Sequence, residues 1–447
     1  MISEINKIID KLQNANIAPG QRIAILSDNS AAYSALILAC WKLGITVVPI
    51  STKYPHDMIN KVLPVVGCNK LFLQADKKFV SHAIETFQIE DFSSIDSSEF
   101  TPPASDTLDL NFTNHASIIF TSASTATPKA VLHTIANHYY SAAGSSANIP
   151  FAKPDRWLMS LPMYHISGFS LIMRALLNQG TLVFPVADST LSKSIETQNP
   201  THISLVAAQL AKLLDSPNAV VALKQTKAIL IGGSAIPQSL IDRALAHDLN
   251  IYTTYGSTEL ASQITTTSLP DIKTHKNTSG RLLSHRQLKI ADDGEILIKG
   301  QTMFVGYIKN NNIDQNLDPQ GYFHTGDIGY IKNENLFVTG RKDLMFISGG
   351  QNIYPEEIQR ALETIDGICQ TLVVPVGDKI YGQRPVAFIK TKTDNLDTDY
   401  IINELSGKIE NYKIPVAIIP WPDFSQDSIK INRQKFIDYA NFHIHTP

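Results

Sequence analysis

The sequence predicts an α/β protein: a large N-terminal body with doubly wound parallel sheets and a small β-barrel element, followed by a small α+β C-terminal domain. Three observations lead to this fold class. Short β-rich runs alternate with helical runs in the first part of the chain, which is typical of βαβ units. After about residue 280, short strands follow one another closely. The last part of the chain mixes helices and strands.

The first strand–helix–strand unit lies near the start of the body. Residues Arg22–Leu26 predict a strand, Ala31–Leu43 predict a helix that ends at Gly44, and residues 47–50 predict the next strand. The alternation continues with predicted strands at 117–121, 181–185, 203–206 and Ala228–Ile231. Because ligands bind at the strand ends of such sheets, we expect the functional site in the loops there.

The second half of the chain has a different pattern. Residues 288–290 and 295–298 predict a β-hairpin around an Asp-Gly turn, and residues 336–339 predict another strand. Further predicted elements are a helix at 355–365, strands at 370–376 and 386–389, and a helix at 399–412. We therefore expect a body over residues 1–340, a boundary at 341–343 and a C-terminal domain over 344–447.

Composition and charge exclude several classes of protein. The 447 residues carry 38 Lys and Arg against 41 Asp and Glu, a net charge of −3, so no basic field is available for nucleic acid or for an anionic membrane. Charges interrupt the N-terminal segment, which argues against a targeting peptide, and no apolar run is long enough to span a membrane. The single cysteines Cys40, Cys68 and Cys369 argue against a disulfide framework or a zinc site, so we expect a cytoplasmic protein.

Residues 121–129, TSASTATPK, directly follow a predicted strand. Such small and hydroxylated residues allow backbone N–H groups to approach an anion, and Lys129 adds a positive charge. The spacing of a Walker A loop is absent, and a polar surface loop is the alternative interpretation of this stretch alone.

Five further motifs follow in chain order. Residues 232–237, GGSAIP, come after a buried strand, and residues 255–259, YGSTE, place Glu259 where a carboxylate can hold Mg²⁺. Residues 321–327, GYFHTGD, end in Asp327, a carboxylate that can accept hydrogen bonds from both ribose hydroxyls. Residues 340–358 begin GRKD, and Lys430 lies in the segment SIKINR near the C-terminus. GGSAIP and TGD alone are each compatible with an ordinary turn, and Lys430 alone is compatible with a solvated charge.

In this order, the motifs resemble those of the adenylate-forming superfamily, which includes the acyl-CoA synthetases. The resemblance extends from about residue 23 to residue 433. In that family the first loop reads T-S-G-(S/T)-T-G-x-P-K-G. Here Ala123, Ala126 and Ala130 replace the three glycines, while Ser122, Thr125 and Lys129 are retained.

The resemblance implies a role for each matching residue. The ATP site it implies comprises Thr121, Ser122, Thr125, Lys129, Gly233, Ser234, Ala235, Tyr255, Gly256, Ser257, Thr258, Asp327, Arg341 and Lys430. Lys430, Arg341 and Glu259 are the implied catalytic residues, with Mg²⁺ on Glu259. The C-terminal domain is implied to be a mobile lid that rotates about a hinge at Asp343, and Gly349 and Gly350 are implied to admit CoA. The implied cofactors are therefore ATP and Mg²⁺, with CoA as co-substrate.

Three stretches resemble the branch that ligates 2-succinylbenzoate, an aromatic dicarboxylate, to CoA in menaquinone biosynthesis. They are LPMYHISG at 161–168, THISLVAAQL at 201–210 and YGQRPV at 381–386. The branch has an arginine at the position of Arg174, which here lies in a run otherwise poor in charge, so we expect Arg174 to bind the carboxylate that is not activated. An arginine snorkelling from a buried helix is the alternative. The other expected substrate-binding residues are His165, Ser167, Gly256 and Gln263.

Other functions remain open from the sequence. The chain fits another aryl- or acyl-CoA ligase of the superfamily, or an adenylation domain that feeds a carrier protein. The three alanines of the first loop also fit a nucleotide-binding regulator without catalysis, although the retained Lys430, Glu259 and Asp327 oppose it. A homodimer stays open as an assembly.

Overall fold

The computed structural model describes residues 1–93, 95, 97–121, 128–186, 188–275, 277–309, 312–392, 397–423 and 432–445. The chain divides into two compact units. The first comprises Met1–Ile236, Arg243–Leu288 and Ile298–His324, and the second comprises Pro237–Asp242, Lys289–Leu297 and Thr325–Pro447. Among the described residues, none of the helices has both the length and the apolar character needed to cross a membrane.

The first unit has two sheets with parallel strands at their centres. In spatial order, the strands of one sheet are Asn312–Asp314, Gly306–Lys309, Lys129–Thr134, His115–Thr121, Thr46–Pro49, Arg22–Leu26, Lys70–Leu73 and Glu85–Gln88. The strands of the other are Arg281–Leu282, Ser262–Thr266, Ile251–Ser257, Ala228–Ile231, His202–Leu205, Arg156–Leu158, Thr181–Val183 and Glu99–Phe100.

The remaining strands form two further groups. One has the order Arg286–Ile290, Glu295–Gly300, Phe323–Lys332 and Asn335–Arg341. The other has the order Gln351–Ile353, Phe346–Ser348, Gly382–Thr391 and Ile368–Asp378, and Ala417–Pro420 pairs with Gly382–Thr391. The predicted hairpin around the Asp-Gly turn is confirmed, and closure of these strands into a barrel stays a prediction.

Fourteen α-helices occur in the described part of the chain. They are Ile2–Asn14, Ala31–Leu43, His56–Val65, Ile89–Phe92, Ile135–Asn148, Ile166–Asn178, Leu191–Gln198, Ala207–Leu214, Pro217–Leu223, Gln238–Ala246, Leu269–Thr274, Pro355–Glu363, Thr398–Ser406 and Arg433–His445. Because strands and helices alternate around parallel sheets, the predicted α/β fold class is confirmed.

The helix Ala31–Leu43 shows how local signals set its ends. The Ser30 side chain accepts a hydrogen bond from the Tyr33 backbone N–H at 3.1 Å, which caps the first turn. At the other end Gly44 adopts a left-handed conformation with φ 71°, as glycine does readily. Between these caps the helix is buried on almost all sides, so it forms part of the core of the first unit.

One predicted helix is longer in the sequence analysis than in the structure. The helix expected at 399–412 is observed as Thr398–Ser406, followed by a separate 3₁₀ turn at Asn411–Lys413. Gly407 follows the last helical residue, and glycine is a poor helix former. The buried Lys413 ammonium forms an ion pair with Glu357 at 2.6 Å, a tertiary contact that holds the turn outside the helix.

Candidate active site

The predicted anion-binding stretch, residues 121–129, lies between two antiparallel strands of the first unit. His115–Thr121 and Lys129–Thr134 pair with Thr121 opposite Lys129. Residues 122–127, which include the candidates Ser122 and Thr125, lie outside the described residues. The exposed Lys129 ammonium lies 5.0 Å from the ring centroid of Tyr307. This contact is within the range of a cation–π interaction.

Tyr307 also contacts the predicted magnesium ligand. Its hydroxyl donates a hydrogen bond of 2.7 Å to Oε1 of Glu259. The backbone N–H of Phe304 donates to the Glu259 carbonyl oxygen at 2.8 Å. The structure thus brings two sequence-predicted residues into contact with one tyrosine, Lys129 at its ring and Glu259 at its hydroxyl. Sequence analysis did not identify Tyr307, because no motif marks it.

The YGSTE motif crosses the end of a buried strand and enters a tight turn. Ile251–Ser257 runs parallel to Ala228–Ile231, and the 3₁₀ turn Thr258–Leu260 follows it. Ala261 and Ser262 then have φ values of 52° and 119°, which are unusual for residues other than glycine. Each such conformation costs about 1–3 kcal/mol and persists only when neighbouring groups hold it. The predicted site therefore lies on a strained turn.

Gly256 allows the two strands of this turn to approach closely. A Cβ atom at this position would lie 2.1 Å from the carbonyl oxygen of Ser262. We expect Gly256→Ala to destabilise the protein by about 1–3 kcal/mol, measured by urea unfolding. The matched control is Gly377→Ala, where a Cβ would meet nothing within 4 Å. Equal stability of the two variants would contradict this explanation.

The predicted ATP-binding segment GGSAIP, residues 232–237, follows the neighbouring strand. Gly232 packs so closely on the strand beside it that a Cβ would lie 2.7 Å from Cγ2 of Thr254, and Gly233 has φ 88°. The next two residues, Ser234 and Ala235, are exposed. The candidates Gly233, Ser234 and Ala235 therefore lie directly after a parallel strand, beside the strand that leads into the YGSTE turn, where the fold class places a ligand.

Three of the five candidate acid-binding residues lie on the helix Ile166–Asn178 or directly before it. His165 precedes the helix and is exposed, Ser167 is half-buried in its first turn, and Arg174 lies two turns further on. Arg174 is 2% exposed. Its guanidinium lies 5.3 Å from the ring centroid of Trp157, so the charge has been removed from water. Burial lowers the pKa of Arg174 to about 9.

The partners of Arg174 are neutral. Its Nη2 donates to Oε1 of Gln263 at 2.6 Å and lies 3.5 Å from Oγ of Ser262, and its Nε has no hydrogen-bond partner in the described structure. Gln263 is 2% exposed and donates from its own Nε2 to Oγ1 of Thr266 at 2.8 Å, which fixes the amide. The structure therefore brings the candidates Arg174 and Gln263 together, and no described carboxylate forms an ion pair with Arg174.

A second arginine is buried in the first unit, and sequence analysis did not identify it. Arg286 is 6% exposed, and its Nη1 and Nη2 donate to the Ser284 carbonyl at 2.7 Å and to Oγ of Ser141 at 3.2 Å. Burial, and secondly the charge of Arg174, lower the pKa of Arg286 to about 9. In the sequence, Arg286 lies two residues before the apolar Leu288 in the same strand, so both side chains are expected on the same face of the sheet. Two buried cations with neutral partners favour an anionic ligand nearby.

In the second unit, Arg341 joins the predicted ribose anchor to the predicted hinge. Phe323–Lys332 and Asn335–Arg341 pair with Asp327 opposite Arg341. The Arg341 guanidinium donates to Asp327 at 3.1 Å and to both oxygens of Asp343 at 3.0 and 3.2 Å. Burial alone would raise the pKa of Asp343, but the bonds from Arg341 outweigh it and hold this pKa below its usual value. Arg341 thus links the Asp327 and Asp343 carboxylates through two ion pairs.

The predicted CoA-binding glycines form a tight turn of the second unit. Gly349 and Gly350 connect Phe346–Ser348 to Gln351–Ile353 and have φ values of 55° and 82°. A Cβ at Gly350 would meet nothing within 4 Å, so this position requires glycine for its backbone and leaves space beside it. Lys430, the predicted catalytic lysine, lies outside the described residues.

Comparison with known proteins decides the family. A model of the AMP-binding enzymes matches residues 3–308, which is more than half of the chain. The chain belongs to the AMP-binding enzyme family. Its resemblance to adenylate-forming enzymes is therefore confirmed. Among relatives in this family, the 2-succinylbenzoate–CoA ligase of Haemophilus influenzae is 32% identical over 450 aligned positions, which cover 98% of this chain and 91% of the relative.

Solved structures of family members agree with this assignment. MenE of E. coli with bound OSB-AMS has a TM-score of 0.81 at 26% identity, covering 98% of this chain and 91% of that one. The o-succinylbenzoate CoA synthetase of Bacillus subtilis in complex with the acyl-adenylate intermediate OSB-AMP has a TM-score of 0.80 at 26% identity, with coverages of 94% and 88%. The same B. subtilis enzyme has been solved with ATP and a magnesium ion, at a TM-score of 0.79, 26% identity and coverages of 94% and 89%.

Proposed function

We propose that the protein is an ATP-dependent acid–thiol ligase that converts 2-succinylbenzoate and CoA into 2-succinylbenzoyl-CoA, AMP and pyrophosphate in menaquinone biosynthesis. The observation that carries the proposal is the buried guanidinium of Arg174. Its short hydrogen bond is donated to the neutral amide of Gln263. The substrate has two carboxylates, and the one that is not activated stays charged. Because burying an unpaired carboxylate is costly, a buried cation without a charged partner is a suitable binding group.

In the first half-reaction, an oxygen of the succinyl carboxylate forms a bond to the α-phosphorus of ATP. The bond from this phosphorus to the oxygen that bridges to the β-phosphorus breaks, and pyrophosphate leaves. Both reactants are anions, so the protein contributes alignment and neutralisation of charge. We assign the charge neutralisation to Lys129 and Lys430, and we assign the ribose hydroxyls to Asp327, with Arg341 fixing its carboxylate.

Glu259 fits the role of a magnesium ligand. Mg²⁺ prefers oxygen ligands and usually takes one or two carboxylates together with waters and phosphate oxygens. Oε1 of Glu259 accepts a hydrogen bond from Tyr307, whereas Oε2 has no hydrogen-bond partner among the described residues. When bound, the ion neutralises charge on the phosphates. The half-buried Glu259 carboxylate is the protein group we propose to hold it.

In the second half-reaction, the sulfur of CoA attacks the acyl carbonyl carbon of the adenylate. The thiol proton is released to solvent, the bond from the carbonyl carbon to the AMP oxygen breaks, and AMP leaves. The turn at Gly349 and Gly350 lacks side chains, which suits the passage of a thin pantetheine arm. We propose that the C-terminal domain over residues 344–447 carries Lys430 away between the half-reactions and that Asp343 is the hinge. The cytoplasmic location and a homodimer stay predictions.

The proposal is tested by following AMP formation with different acids. We expect CoA-dependent release of AMP with 2-succinylbenzoate at a kcat/KM at least about tenfold higher than with benzoate or a long-chain fatty acid. Pyrophosphate release without CoA at a lower rate would report the adenylate intermediate. Benzoate turnover as efficient as that of 2-succinylbenzoate would contradict the assigned substrate, and the absence of turnover with every acid would contradict the ligase.

A further inference from the structure

A chain of three buried polar side chains leads to the back of the YGSTE turn. Its members are His138, Ser117 and His133, which are 0–1% exposed. Ser117 Oγ lies 2.8 Å from Nε2 of His138 and 3.3 Å from Nδ1 of His133. Nε2 of His133 lies 2.7 Å from the carbonyl oxygen of Thr258, the first residue of the 3₁₀ turn. This series of hydrogen-bonded side chains therefore ends at Thr258, the residue directly before Glu259.

The Thr258 carbonyl sets the hydrogen position on His133, and the unpartnered, buried Nδ1 of His138 sets the direction of the other two bonds, because a hydrogen on that atom would be a buried donor without an acceptor. A carbonyl only accepts, so Nε2 of His133 carries the hydrogen and Nδ1 of the neutral ring is an acceptor. The single Ser117 hydroxyl hydrogen is then donated to His133, and Ser117 accepts from Nε2 of His138. This leaves Nδ1 of His138 without a hydrogen, and that atom is buried without a partner in the described structure. All three donors thus point toward Thr258.

The surroundings keep both rings neutral and immobile. Burial lowers the pKa of His133 to about 4, and burial, followed by the neighbouring His133, lowers the pKa of His138 well below its usual value. The His138 ring stacks on Trp41 with a centroid separation of 5.9 Å, and the Trp41 indole N–H donates to the Ala116 carbonyl at 3.0 Å. The direction of the chain is therefore maintained by packing.

The turn that receives this bond needs external support. Ala261 and Ser262 have positive φ values, and such conformations persist only where neighbouring groups hold them. Ser141 donates to the Ala261 carbonyl at 2.7 Å, and His133 donates to the Thr258 carbonyl, so both ends of the turn are held from the protein interior. Between these two bonds lies Glu259.

We infer that His133 is a positioning residue for adenylate formation: its Nε2–H, directed by Ser117 and His138, holds the Thr258 carbonyl and thereby aims the Glu259 carboxylate at the nucleotide. His133 is 0% exposed, so it acts through the backbone and touches neither substrate nor ATP. The inference rests on the proposed function, which supplies the role of Glu259. It adds a buried determinant that none of the sequence motifs contains.

The test compares two polar substitutions that differ in where they place a donor. The side-chain amide of His133→Gln reaches the position of Nε2 and can still donate to Thr258, whereas the shorter amide of His133→Asn cannot. We expect His133→Asn to lower kcat for acid-dependent pyrophosphate–ATP exchange about tenfold or more and to raise the Mg²⁺ concentration needed for half-maximal rate. His133→Gln should stay within about threefold of the wild type, and the KM for the acid should change little in both.

Several outcomes would overturn the inference. Equal losses in the Gln and Asn variants, or a wild-type Mg²⁺ dependence in His133→Asn, would show that the bond to Thr258 does not aim Glu259. If His133→Asn does not fold, Ser117→Ala takes its place, because it removes the group that directs His133 while leaving the ring. A wild-type rate and Mg²⁺ dependence in Ser117→Ala would equally overturn the inference.

A matched control separates positioning from loss of stability. Thr226→Val also removes a buried side-chain bond to a backbone carbonyl, that of Leu223 at 2.7 Å, but outside the predicted site. We expect it to keep wild-type exchange and Mg²⁺ dependence. Exchange by the wild-type protein tests the proposed function itself. If the wild-type protein shows no exchange with any acid, the proposed function is contradicted. If the wild type exchanges and the His133 variants exchange equally well, only the inference about His133 is contradicted.

Discussion

Replacing Lys430 with alanine is expected to abolish acid-dependent exchange of labelled pyrophosphate into ATP. In adenylate formation a carboxylate approaches a triphosphate, so a cation that meets the developing charge contributes more to the transition state than to the ground state. We expect a loss of about 10²-fold or more in exchange rate. Lys430 lies outside the described residues, and the expectation rests on its place in the segment SIKINR.

The same substitution separates the two half-reactions. Because the adenylate is already formed before CoA attacks, Lys430→Ala should retain thioester formation when the acyl-adenylate is supplied directly. Lys435→Ala is the matched control, since it removes the same charge from an exposed side chain in the helix Arg433–His445. If Lys430→Ala and Lys435→Ala exchanged pyrophosphate equally well, residue 430 would have no part in adenylation.

The second large effect concerns Arg174. We expect Arg174→Ala to raise the KM for 2-succinylbenzoate by an order of magnitude or more, because a buried carboxylate that loses its cation costs about 2–4 kcal/mol. The KM for ATP should change by less than about twofold, since none of the described contacts of Arg174 involves a predicted ATP-binding residue. Steady-state kinetics with each substrate varied in turn measures both constants.

Arg174→Lys sharpens this test. Lysine keeps the charge but not the planar fork that donates to Gln263 at 2.6 Å. It should therefore recover part of the affinity for the dicarboxylate that alanine loses. A KM for 2-succinylbenzoate that is unchanged in Arg174→Ala would remove Arg174 from the acid-binding site.

Local signals in the sequence predict much of the fold. The helix Ala31–Leu43 and the strands Arg22–Leu26 and Ala228–Ile231 have the predicted bounds, because caps and buried strands are encoded by adjacent residues. The helix predicted at 399–412 is too long in the sequence analysis. Gly407 marks the end of the helix in the sequence, whereas the separate turn at Asn411–Lys413 is held by the tertiary ion pair between Lys413 and Glu357, which no local pattern reveals.

The residues of the candidate site also fall into those that the sequence reveals and those that only the structure reveals. Arg174 is visible in the sequence as a lone charge in an apolar helix, and Glu259 and Asp327 lie in compact motifs. Arg286 is marked only by its alternation with Leu288 on one strand, and neither its role nor that of His133 is visible, because their partners Ser141 and Thr258 are 145 and 125 residues away in the chain. Their roles arise from burial and long-range contacts, which only the folded structure supplies.

The most direct test of the acid site pairs Arg174 with the second carboxylate of the substrate. Adenylation is measured for the wild type and Arg174→Ala, with 2-succinylbenzoate and with 4-oxo-4-phenylbutanoate, which lacks the ring carboxylate. If Arg174 binds that carboxylate, the substitution lowers kcat/KM at least about tenfold for the dicarboxylate and less than about twofold for the analogue. Equal decreases in kcat/KM with both acids would contradict this assignment, since Arg174 would then stabilise the fold without binding the ring carboxylate of the substrate.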